Sequence, residues 1–97
     1  MKEKEQLWYL INNLIEGKYT INVFCNEFTR IYDLEVDYNK LSDDENLLFS
    51  ELSSMTSRFS DNKEDLKIPN MYYSENDILK KVKEIKEILK RNNINNI

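Results

Sequence analysis

Apolar residues recur at steps of three and four along most of this chain, the spacing that places them on one face of an α-helix. Leu7, Leu10, Ile11, Leu14 and Ile15 form the first such stripe and predict a helix over residues 3–16. Gly17, the only glycine, follows where a left-handed C-cap residue belongs. Thr20 is placed to N-cap a second helix over residues 21–34, with Ile21, Phe24, Cys25, Phe28, Ile31 and Tyr32 on its apolar face. A polar, acidic linker from Glu35 to Leu41 comes next.

The third helix has the clearest start. Ser42-Asp43-Asp44-Glu45 reads as a capping box, in which the serine hydroxyl accepts from the third helical amide and Glu45 reaches back to the Ser42 amide. Leu48, Leu52, Met55 and Phe59 are expected to line its buried face, with Leu47, Phe49 and Thr56 flanking. The connection from Ser60 to Tyr73 contains the only proline, Pro69, which a helix interior would not accept. It is long enough to wrap the helices and contribute contacts. Ser74-Glu75-Asn76-Asp77 is a second capping motif and opens a helix striped by Ile78, Val82, Ile85 and Leu89. Residues 92–97 are expected to fray. These elements predict an all-α fold, an antiparallel four-helix bundle in a single domain over residues 1–91.

Composition narrows the reading. With 97 residues there is room for one core, and one glycine plus one proline leave little material for the tight turns of a sheet protein. Cys25 is the only cysteine, so no intramolecular disulfide can form. The first residues, Met1-Lys2-Glu3-Lys4-Glu5, do not resemble a signal peptide, and no run approaches a membrane span, which points to the cytoplasm.

Catalysis lacks its usual parts. There is no histidine, the commonest general base and metal ligand. Cys25 falls on the apolar face of the second helix with no base beside it, so it reads as a core residue. One cysteine cannot make a zinc site, and one glycine cannot make a phosphate-binding loop. No catalytic residue, metal or cofactor is expected, and the chain does not read as an enzyme.

Charge supplies the positive signal. The formal net charge of −4 hides a strong polarity. Residues 1–32 are balanced, residues 33–77 carry twelve acids against four bases, and residues 78–97 carry two acids against six bases. The acidic middle would be repelled by phosphates, so nucleic acid is not an expected direct partner. The lysines of the last helix are explained as a solvated face whose charge offsets the helix dipole. Acids without a core role cluster at two helix starts and in the connections before them. Tyr72 and Tyr73, with Met71, stand beside Glu75 and Asp77, a combination of aromatic area and acidic rim suited to a binding hot spot. The complementary partner is a protein with a basic cleft, such as a nuclease.

In the order and spacing of these features the chain resembles the bacterial self-protective colicin-like immunity proteins, typified by the colicin D immunity protein. The resemblance spans residues 7–90. It runs through Leu14-Ile15-Glu16-Gly17, Tyr19-Thr20-Ile21-Asn22-Val23-Phe24 and Phe28, then Arg58-Phe59-Ser60-Asp61, then Tyr73-Ser74-Glu75-Asn76-Asp77-Ile78-Leu79. It implies a four-helix bundle that binds the nuclease domain of a cognate toxin, often one that cleaves tRNA, and fills its basic cleft with carboxylates. By position it implies that Asp61, Glu64, Asp65, Glu75 and Asp77 face the toxin. The chain departs from the family at Ser57 and Ser60, where relatives often carry acids. The residue pattern adds Tyr72 and Tyr73 to the expected contact set, with Asp43 and Asp44 as weaker members because capping already accounts for them. The alternatives are a small acidic inhibitor or adaptor unrelated to a toxin, and an oligomeric element or enzyme subunit that pairs through its exposed aromatics.

Overall fold

A computed structural model describes the backbone of residues 3–69 and 71–95 and the side chains through Arg91. Its helices are α1 (Glu3–Ile15), α2 (Ile21–Arg30), α3 (Asp43–Thr56), α4 (Lys63–Leu66) and α5 (Glu75–Asn95). Among the described residues there is no strand, and the fold is all-α. One isolated bridge joins Phe59 to Tyr73.

The chain-end signals act as their chemistry requires. Gly17 takes φ 78°, the left-handed conformation that closes α1. The Thr20 hydroxyl accepts from the Val23 amide. Ser42 and Glu45 complete both halves of the capping box, at 3.0 and 2.9 Å. Ser74 and Asp77 make the same reciprocal pair at the start of α5.

The core forms where these helices meet. Leu7, Ile11, Phe24, Phe28, Phe49, Leu52, Ile78, Val82 and Ile85 are fully enclosed. α1 packs on α2 and α5, and α3 packs on the same two helices. Phe28 lies at its centre, stacked on Phe24 and edge-on to Phe49 at 5.8 Å. Between α2 and α3 the partners run in opposite order. Thr29 meets Thr56 at 2.6 Å, and Asp33, further along, meets Ser53 at 2.8 Å.

Several elements differ from those the sequence predicts. The buried face of α3 carries Glu45, Phe49, Leu52, Ser53 and Thr56, while Leu48 and Met55 are only half-buried and Leu47 is exposed. An apolar stripe drawn by residue type alone misses inward polar groups that find partners on other helices. The helix also ends at Thr56, before Phe59.

The second helix stops being α-helical at Arg30. Residues Ile31–Glu35 continue it as a π-helical turn, and Tyr38–Lys40 form a 3-10 turn within the expected linker. The connection after α3 folds a fifth helix, the four-residue α4, capped by Asn62. At the far end, α5 continues through Asn95, so the helix outlasts the boundary expected at Arg91; residues 96 and 97 lie outside the described residues.

Candidate functional site

The two ends of α3 each gather carboxylates. Fourteen residues separate them, about 20 Å at the usual helical rise, so they are distinct surfaces.

At the C-terminal end the chain leaves α3, makes α4 and returns to α5. Two backbone hydrogen bonds pin this excursion at its base: the Ser60 amide donates to the Tyr73 carbonyl and the Tyr73 amide to the Arg58 carbonyl, both at 3.0 Å. Asp61, Glu64, Glu75 and Asp77 are exposed here, and Asp65 is half-buried. Their commitments differ. Glu64 makes an exposed pair with Lys67. Asp65 accepts from the Ser60 hydroxyl at 2.9 Å and so helps shape the turn. Asp77 caps α5 through the Ser74 amide, which makes it partly structural in the same way as Glu45.

Tyr72 and Tyr73 are both half-buried. Tyr73 packs against the core, and the two rings, with Met55, Asp77, Lys80, Lys81 and Glu84, line an open groove of about 340 Å³ between α3 and α5. Lys81 is held in that groove by Glu51 at 2.8 Å. Met71 stands exposed beside them.

The N-terminal end is built differently. Glu45 is only 7% exposed and accepts from the Trp8 indole at 2.9 Å, from the Ser42 amide and from the Lys4 ammonium at 3.0 Å. Burial alone would push its carboxyl up, but those three donors hold it below the ordinary carboxylate value. Trp8 in turn lies edge-on to Phe49 at 5.4 Å. Asp43 and Asp44, exposed in the same first turn, therefore stand on a surface separate from Asp61 to Asp77. The expected contact set does not form one patch.

Beside that turn lies a corner that the sequence reading passed over as a linker. The Tyr38 hydroxyl donates to the Tyr32 carbonyl at 2.9 Å, and its own carbonyl accepts from the Asn46 side chain at 3.0 Å. The Tyr32 and Tyr38 rings are 5.1 Å apart. The π-helical turn is steadied by Arg30, which pairs with Glu27 and, at 2.9 Å, with Glu35. The available sequence signal was a run of acids alternating with Leu34, Val36 and Tyr38 at steps of two.

Elsewhere the chemistry is quiet. Cys25 is buried, and desolvation pushes its thiol up to about 12. Among the described residues no group of three or more His, Cys, Asp or Glu side chains is arranged to hold a metal ion, and no helix is long and apolar enough to cross a membrane.

No protein-family model, curated protein or solved structure matches this chain.

Proposed function

We propose that this protein is an immunity-type inhibitor, which binds a cognate nuclease toxin in the cytoplasm and occludes its basic, RNA-holding cleft. The observation that carries the reading is that Asp61, Glu64, Asp65 and Glu75 lie on or directly beside one connection, pinned at its base, that also carries the half-buried Tyr72 and Tyr73. Pre-ordered carboxylates steer a basic partner to the surface, and aromatic area holds it there. The ring of contacts through α1, α2, α3 and α5 is what an antiparallel four-helix bundle would make, with α4 as an insertion in its last connection. That architecture fits the resemblance drawn from the sequence.

The deciding test is co-expression with a nuclease toxin domain encoded by a gene found beside this one. Cells should survive with the wild-type chain and die without it; death in both cases ends the proposal. A variant with Asp61, Glu64, Asp65 and Glu75 reversed in charge should lose protection while keeping its helical circular dichroism. Asp77 is left out of that set because its loss would also uncap α5.

A further inference from the structure

The corner between α2 and α3 has no part in that assignment, yet it exposes apolar surface within a dense acidic rim. Leu34 is 80% exposed and Leu47 is 59% exposed, the two largest values for exposed large hydrophobic residues among the described residues. Tyr38, also exposed, joins the two segments that carry them. Its hydroxyl is bonded to the carbonyl of Tyr32, two residues before Leu34, and its carbonyl to the side chain of Asn46, next to Leu47.

The rim is more acidic than the surface at the other end of α3. Residues 33–47 hold six carboxylates; against them stand Lys40, Lys4 paired with Glu45 and Arg30 paired with Glu35, a net of −3, whereas residues 58–77 hold five against three bases, a net of −2. Glu45 is buried and paired, which leaves Asp33, Glu35, Asp37, Asp43 and Asp44 exposed around the corner.

The corner is also pre-ordered. Arg30 clamps the π-helical turn, Asp33 is tied to Ser53, and Tyr38 is held at both ends. Local π-helical turns are costly and often accompany functional surfaces. Nothing in the packing requires Leu34 to be apolar.

We infer that the α2–α3 corner is a protein-docking surface in which Leu34, Tyr38 and Leu47 enter an apolar recess of a partner whose surrounding rim is basic. Charge decides the occupant. A second copy of this chain, related by a twofold axis, would set the same carboxylates against one another. A basic partner gains from them, and the apolar side chains supply the desolvated centre that holds a complex together. Resting on the proposed function, this inference gives the toxin a second point of grip, about one helix length from the first.

The test uses the full chain and the same nuclease domain. Leu34→Ser with Leu47→Ser should leave the thermal melt unchanged, because both side chains are already in water. It should weaken binding about 100-fold, mainly through faster dissociation, as loss of two central anchors does. The salt dependence should stay as in the wild type, whereas Asp43→Asn with Asp37→Asn should flatten it. If the wild type protects cells and the leucine variant binds equally tightly, this inference fails and the proposed function stands. If the wild type neither binds nor protects, both fall. A concentration-dependent dimer that the leucine variant abolishes would overturn the inference in favour of self-association.

Discussion

Glu45, at the N-terminal end of α3, is enclosed and holds three donors; Glu64, beyond the C-terminal end, has a side chain 80% exposed and meets Lys67. Both are glutamates in helix first turns, three and two residues after their capping residues. One joins α1 to α3. The other decorates a surface. The density of acids along a chain therefore says little about which of them a partner can use, because the accounting depends on what each carboxylate already satisfies.

The largest expected effect breaks that contrast. Glu45→Ala leaves the Trp8 indole and the Ser42 amide without their acceptor and removes the Lys4 pair, so it should cost about 3 kcal/mol in urea unfolding, from the usual penalty for stranded buried donors. Glu64→Ala should change stability by less than about 0.5 kcal/mol, as exposed pairs do. Equal effects would mean that the two ends are not built differently.

Acid should reveal the role of Glu45 as well. A carboxyl whose folded value is depressed contributes stability that is present above its unfolded value, near 4.5, and lost as pH falls through the folded one. Unfolding free energy should thus decline below about pH 4.5, the ordinary range for an unpaired Glu. Glu45→Gln should reduce that decline.

Smaller still are the caps. Ser42→Ala and Ser74→Ala should each cost about 1 kcal/mol, since both hydroxyls serve a reciprocal pair. A clear inequality between them would place one capping box under tertiary support that the other lacks; Glu45 makes Ser42 the one to watch. Thr29→Val should cost about 1 kcal/mol, because it removes the hydrogen bond that Thr56 shares across the α2–α3 contact.

Much of this fold was legible in local chemistry. Gly17, Thr20, Ser42 and Ser74 mark element ends through contacts within a few residues, and those contacts form. The stripes of α1, α2 and α5 were legible because their inward residues are apolar, apart from Asn13 of α1, which is buried and donates to the Tyr9 carbonyl within its own helix. The face of α3 was not, since Glu45, Ser53 and Thr56 turn inward only because Trp8, Asp33 and Thr29 wait for them on other helices. Periodicity carries no record of such partners. The π-helical turn was hidden for another reason: its clamp is local, Arg30 with Glu27 and Glu35, but such a trio of charges marks no particular turn type. Of the candidate site, the acids and the tyrosines were visible as types. That Asp43 and Asp44 open the third helix while Asp61 to Asp77 follow it was legible too; which of the acids are already bonded, and how exposed the leucines at the α2–α3 corner are, depended on the third dimension.

The pair of hydrogen bonds joining Arg58 and Ser60 to Tyr73 has a consequence for how the chain can change. It closes the base of the excursion, so the residues between behave as a tethered loop whose length scarcely matters to the helices below. Doubling such a loop costs only about 0.6 kcal/mol of closure entropy, a difference that urea unfolding of a lengthened chain would read directly. A surface mounted in this way can be rewritten residue by residue, or even extended, while the core that carries it remains the same.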